Sequence, residues 1–269
     1  MAIIRKKPDT LQAIWPNTGI RKSYKKAIIG LLNDMERDIR QTLVTEFRRQ
    51  AKHEKADMAM DGVADWVAHV GDYLSTTWSK RLNNLVPEIV EAFVSKTVTN
   101  YESQLKVQMR KAGFTVRFQV TPFQRDALQA AVENNVGLIK SIGSQYLESV
   151  QSQVWQCITN GYDLSTLSKE LKKHYEISVR RADLIARDQG AKAHAAIEKA
   201  KRQELGITKA IWLHSHASGK PRPSHLKANG KVFDVNKGMY LDGEWVQPGE
   251  LINCRCVSRS IIDGVTDGG

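Results

Sequence analysis

The chain carries three cysteines in 269 residues, too few to staple a secreted fold with disulfides. No run approaches the roughly 20 consecutive apolar residues that cross a bilayer. The first twenty residues hold Arg5, Lys6 and Lys7 but no apolar segment and no small-residue cleavage site, so no secretory leader is expected. There is no phosphate-binding glycine loop, no G-x-G-x-x-G and no H-E-x-x-H. No internal repeat occurs. Together these absences predict a soluble protein made in a reducing compartment. Hydrophobic residues at 41% and charged residues at 26% are compatible with a packed core.

What is present in excess is positive charge. The net charge is +11, and residues 1–55 alone hold 13 basic and 6 acidic side chains. Such an end suits a polyanion, either nucleic acid or an acidic protein surface, and equally a solvated helix face. Arg5, Lys6, Lys7, Arg21, Lys22, Lys25 and Lys26 are the candidate nucleic-acid contacts. No aromatic interleaving marks a groove for single strands.

Periodicity predicts a mainly helical body. Ile28, Leu31, Leu32, Met35, Ile39, Leu43 and Phe47 recur at three- and four-residue steps, giving a helix over 21–52. Val63, Trp66, Val67, Val70, Leu74 and Trp78 form a second stripe over 60–83. Pro87 is expected to interrupt it. A third helix then carries Val90, Phe93, Thr97, Tyr101, Leu105 and Met109, and Gly113 stops it. Residues 114–120 alternate apolar and polar, which predicts a half-buried strand. Thr121 and Pro122 are expected to open a helix running to about Ile158. Asp163 or Ser165 would cap a short helix through Leu171, and Ser178 would begin another ending near Leu205.

After Gly206 the texture changes. Turn signals crowd the chain at Asn229-Gly230, Lys237-Gly238, Asp242-Gly243 and Pro248-Gly249. Apolar pieces lie between them at 210–213, 232–235, 245–246 and 255–262. The expected fold class is therefore α+β: a mainly α-helical body with a small loop-rich, strand-containing C-terminal module. The expected organisation is a helical region over 1–120 with a basic first third, a helical region over 121–206, the module over 207–263 and a tail over 264–269.

The module gathers His214, His216, His225, Cys254 and Cys256. Zinc takes about four nitrogen or sulfur donors. The pairs His214/His216 and Cys254/Cys256 fit that chemistry, with His225 as the alternative donor. On a strand, i and i+2 share a face, so each pair can converge. A single residue between the cysteines is shorter than the usual C-x₂₋₄-C spacing. Packing as small hydrophobes and ordinary hydrogen bonding are the plainer roles. The same residues also allow a thiol nucleophile, with Cys254 or Cys256 attacking and His225 as base, although no oxyanion element accompanies them.

The order Trp212, Arg222-Pro-Ser-His225, Asn229-Gly230, Pro248-Gly249-Glu250 and Asn253-Cys254-Arg255-Cys256 resembles the phage Mu F-like head morphogenesis, or minor capsid, family. The helix around Arg187-Asp188-Gln189 resembles the segment that precedes this module in the family, with the acidic residue shifted. The likeness covers about residues 125–260. It implies a non-enzymatic virion protein of a tailed phage, located in the capsid interior or at the portal vertex and made in the bacterial host cytoplasm. It implies roles in head morphogenesis and in DNA packaging or ejection. The implied partners are the portal and other head proteins and packaged double-stranded DNA, with no membrane anchor. Trp212, Arg222, His225, Gly230, Pro248, Asn253, Cys254, Arg255 and Cys256 would then hold the module's loops together. No cofactor is implied. Zinc on His225, Cys254 and Cys256 stays a separate possibility of the residues themselves.

Overall fold

The computed structural model describes residues 9–53, 61–118, 122–159, 164–216 and 220–262. Its elements run β1 (Asp9–Thr10), α1 (Thr18–His53), α2 (Asp61–Lys111), α3 (Pro122–Thr159), α4 (Leu164–Glu204), β2 (Lys209–Leu213), α5 (Pro223–Ala228), β3 (Val232–Asp234), β4 (Met239–Leu241), β5 (Glu244–Val246) and β6 (Val257–Ile262). The fold is α+β and mainly helical, with the strands gathered in the C-terminal region apart from β1. The chain divides into two compact units. One comprises residues 22–92 and 133–186, and the other residues 1–21, 93–132 and 187–269.

In the unit built from 22–92 and 133–186, each helix buries one stripe. Ile28, Leu32, Met35, Ile39 and Leu43 of α1 are buried, as are Val67, Leu74, Trp78, Val86 and Val90 of α2 and Ile139, Ile142, Tyr146, Val150 and Val154 of α3. Burial of these faces, more than intrinsic propensity, holds such helices together. Trp78 is anchored at its polar edge, donating its indole N–H to Asp38 at 3.0 Å. Tyr24 donates its hydroxyl to the Asn135 side chain at 3.0 Å, which satisfies two buried polar groups at once.

Three sequence expectations need correction here. Pro87 lies inside α2 and does not divide it. Its ring removes one helical hydrogen bond at a cost of about 3 kcal/mol. Val86 and Val90 are nevertheless wholly buried on either side, so the apolar stripe continues through the proline and the packing outweighs the loss. The break expected between Leu171 and Ser178 is likewise absent, since α4 is one helix of 41 residues. Ser178 does not cap a new helix. Its hydroxyl donates back to the His174 carbonyl at 3.0 Å, a bond that a mid-helix serine can make without ending the helix. Residues 114–118 form no strand. Their alternation is genuine, because Phe114, Val116 and Phe118 pack against the buried cluster of Tyr101, Leu105 and Met109. A period of two reports an extended chain with one face covered, and it does so with or without a ladder partner. The Thr121 cap, Val63 and Asp163 fall outside what is described, whereas Asn17 does cap α1, accepting from Gly19 N–H at 2.9 Å and Ile20 N–H at 3.1 Å.

The other unit carries the sheet. Its strand order is β1-β6-β2-β3, with every pairing antiparallel. Lys209 pairs with Ile261 and Leu213 with Val257, so the register puts Ala210 and Trp212 on one face. That face covers a core of Ala210, Trp212, Ala228, Phe233, Val235, Val246, Cys254 and Cys256. Strands β4 and β5 form a hairpin joined by Asp242-Gly243. Both turn residues have positive φ, 52° and 94°, which matches the twist of a two-residue hairpin.

Gly238 turns the chain into β4 at φ 90°, and a Cβ placed there would lie 2.5 Å from the Val246 carbonyl oxygen. Gly238→Ala is therefore expected to cost at least about 1–3 kcal/mol, from backbone strain plus the clash. Chemical denaturation would read this as a lower midpoint. An unchanged midpoint would contradict the turn geometry.

Candidate functional site

The site begins at Trp212, which is fully buried on β2. The loop after β2 leads to Arg222, which stands at the N-cap position of α5 with a proline following. Proline suits the first helical position because its absent N–H would have no partner there. Arg222 donates to the Ile252 carbonyl at 3.1 Å, tying α5 to the loop before the cysteines. The short helix then places His225 inside, only 3% exposed. The imidazole meets Trp212 edge-on at a centroid separation of 5.3 Å.

Cys254 and Cys256 arrive from the opposite side. The turn before them is fixed by Asn253, whose φ of 60° is left-handed, a conformation asparagine tolerates better than most residues. Asn253 N–H donates to Asp188 Oδ1 of α4 at 2.9 Å. Asp188 also pairs with Lys192 at 3.0 Å. Gly230 N–H donates to the Trp212 carbonyl at 2.8 Å, and Asn229 Oδ1 accepts from His214 N–H at 2.9 Å. Pro248 and Gly249 are buried. At Gly249 φ is 88°, and a Cβ would sit 3.3 Å from the Cys256 carbonyl oxygen, so the approach depends on glycine.

These supports bring one imidazole nitrogen to two sulfurs. His225 Nδ1 lies 3.4 Å from Cys254 Sγ and 3.6 Å from Cys256 Sγ. All three residues are buried, and their ligating atoms lie within 4.8 Å of one another. The two thiols titrate unequally. Cys254 is lowered to about 5, chiefly by a hydrogen bond from the Cys256 thiol. The backbone N–H groups of Cys256 and Gly249 and the charge on His225 add to this, against burial. Cys256 is pushed up, first by that same hydrogen bond to Cys254, then by burial and its neighbour's charge. The Trp212 indole opposes the rise in part.

The structure thus unites Trp212, His225, Cys254 and Cys256, while Arg222, Gly230, Pro248 and Asn253 shape the loops around them. The His214/His216 pair is drawn into a contact of its own. His214 Nδ1 accepts from His216 N–H at 3.1 Å, and the two rings meet edge-on. A nucleophilic reading gains a buried thiol 3.4 Å from an imidazole nitrogen. It does not gain an orienter: His225 Nε2 is buried without a hydrogen-bond partner among the described residues.

Arg255 faces elsewhere. It lines a cavity of about 240 Å³ with Trp15, Arg21, Phe93, Arg187 and His194, and the cavity wall reaches Cys256. The basic residues proposed from sequence are placed differently from one another. Arg21 lines this cavity, Lys25 pairs with Asp183 at 2.6 Å, and Lys22 and Lys26 are exposed. Arg5, Lys6 and Lys7 lie outside the described residues.

His194 is buried and donates Nε2–H to the Ile14 carbonyl at 2.8 Å. Burial pushes its pKa below the usual 6.5, with the charge of Glu198 and the Ile14 carbonyl partly offsetting this. His214 is lowered as well, again first by desolvation. The unfolded chain takes up these protons near pH 6.5, whereas the folded chain does so only further down. Stability is therefore fully present above about pH 6.5 and falls as the pH drops below it. Thermal unfolding at pH 7.5 and pH 5.5 measures the loss, and His194→Gln should flatten the difference. An equal slope in that variant would remove His194 as a cause.

A buried polar network of four residues escaped the sequence reading. Arg202 Nη2 donates to Glu198 Oε1 at 2.7 Å, Nη1 to Ser258 Oγ at 2.7 Å and Nε to Ser260 Oγ at 2.8 Å. Ser258 Oγ donates in turn to Glu198 Oε2 at 3.1 Å. All four residues are buried. This network fastens α4 to β6. Its signal was present as a Glu–Arg pair four apart and two serines at alternate positions on one strand.

Long helices and a small antiparallel sheet make up the described chain, and the loops after β2 close around a Trp–His–Cys–Cys centre. Residues 148–259 match the sequence family described as Phage Mu protein F like protein. The match contains the whole centre and bears out the resemblance carried by the tryptophan, histidine and cysteine motifs. Over 247 residues the chain is 28% identical to an uncharacterized protein of Haemophilus influenzae, covering 90% of this chain and 52% of that protein. Over 231 residues it is 24% identical to the minor head protein GP7 of Bacillus phage SPP1, covering 79% of this chain and 70% of that one. The chain therefore spans about half the length of the first relative. No solved structure matches it.

Proposed function

We propose that this protein is a minor structural protein of a tailed-phage head, acting in head morphogenesis at the portal and in packaging or delivery of DNA. The observation that carries this reading is the Mu F-like match over residues 148–259, joined by the likeness to a minor head protein. The site geometry supports an architectural role, because Trp212, His225, Cys254 and Cys256 fill the core while Arg222 and Asn253 fix loops. Its partners would be the portal and other head proteins, inside a virion assembled in the bacterial host. Among the described residues no helix is long and apolar enough to cross a membrane.

DNA contact would come from the basic first fifth of the chain, through exposed Lys22 and Lys26 together with Arg5, Lys6 and Lys7. Phosphate contacts need charge and no sequence readout. Quantitative mass spectrometry of purified heads should find the chain at a few copies per particle, and deleting its gene should leave heads defective in assembly or DNA content. Heads that lack the chain and assemble normally without it would end the proposal. Filter binding to double-stranded DNA should weaken as salt rises, and a salt-independent slope would remove the DNA contact alone.

A further inference from the structure

The sequence left zinc open on several alternative donors, and the structure narrows that choice to one set. We propose that Cys254 Sγ, Cys256 Sγ and His225 Nδ1 bind a single zinc ion. This inference does not rest on the head-protein reading.

Geometry comes first. Zinc sits about 2.3 Å from a thiolate and about 2.0–2.1 Å from an imidazole nitrogen, so tetrahedral ligands of these two kinds lie about 3.5 Å apart. The two observed separations from His225 Nδ1 are 3.4 and 3.6 Å. One nitrogen carries at most one proton and cannot make two full hydrogen bonds to the flanking sulfurs. A shared cation satisfies both contacts at once.

The donor chemistry agrees. Two thiolates and one imidazole form a soft set that selects zinc over magnesium or calcium. The surroundings hold the donors in place: the Trp212 ring meets His225 edge-on at 5.3 Å, and Gly249 approaches so closely that a Cβ there would lie 3.3 Å from the Cys256 carbonyl oxygen. Outer contacts of this kind orient ligands and tune a metal site. The single-residue spacing is workable because both cysteines are buried in the same core, with their sulfurs within 4.8 Å of each other and of the His225 donor.

His214 does not complete the set as it stands. Its Nδ1 accepts a backbone hydrogen bond, so its Nε2 carries the ring proton and offers no lone pair. The fourth position is therefore left for water or another exchangeable donor.

The test uses the full chain, purified under reducing conditions without chelator. Elemental analysis should find about one zinc per chain. Titrating chelator-stripped, reduced protein with Co²⁺ should produce a thiolate-to-cobalt charge-transfer band that saturates at one equivalent and is bleached by Zn²⁺. Cys254→Ser should weaken binding by more than about 100-fold, beyond what an outer contact costs. Cys157→Ser should leave the stoichiometry unchanged, since that thiol lies on α3 and is not one of the three clustered donors. The wild-type titration decides the matter even if Cys254→Ser fails to fold. No zinc above background together with no cobalt band would overturn the proposal.

Discussion

Arg202→Ala is expected to lower stability by about 3–5 kcal/mol, because it removes one partner of a buried ion pair and leaves the other charge unmatched. The guanidinium is 2% exposed and Glu198 3% exposed, so water cannot replace the lost bonds. Two serine hydroxyls lose their donor in the same step. For a chain of this size the melting temperature should fall by on the order of 10 °C. Glu198→Ala should cost a similar amount. The double variant should cost far less than both together, since the singles share one defect. A cycle that adds would show that the four residues do not act as a unit. Replacing the pair with well-packed apolar side chains is expected to be nearly neutral, which would separate the expense of an orphaned charge from any net benefit of the pair.

Trp212→Ala carries the second large effect. Trp212 is wholly buried and touches both Phe233, at a centroid distance of 6.0 Å, and His225. Truncation removes apolar contact and opens a cavity in a small core, at an expected cost of about 3–5 kcal/mol. It should also unseat His225, whose imidazole is held against the indole. The readouts are the denaturation midpoint and the reactivity of the thiols. Cys254 and Cys256 are expected to react with a water-soluble thiol reagent much faster in the variant. A large loss of stability with thiols still protected would mean that His225 is held by other contacts. Trp212→Phe should recover most of the stability.

The helical body was legible because its signal is local. A stripe such as Ile28 to Phe47 repeats every three or four residues, and its burial follows directly. Where the reading failed, a distant partner had outweighed a local cue. Pro87 and Ser178 are plausible helix boundaries by chemistry, yet both lie within helices whose buried faces continue past them. Strand β1 could not have been found, since two residues become a strand only through β6. In the site, Trp212, His225, Cys254 and Cys256 were visible in the sequence as separate motif residues, and the fold brings them together. The choice of His225 over His214 depends on α5, a six-residue helix hidden among turn signals. Glu198, Arg202, Ser258 and Ser260 went unseen because each looks ordinary until α4 and β6 meet.

The pairing of Asp9 with Ile262 has a consequence for how the polypeptide is made. A ribosome adding about 5–20 residues each second takes tens of seconds to travel from β1 to β6. Throughout that interval the nascent strand waits without its hydrogen-bonding neighbour. The sheet can close only once β6 has been translated, so β1 is completed late, and a product truncated before β6 would leave this sheet unfinished.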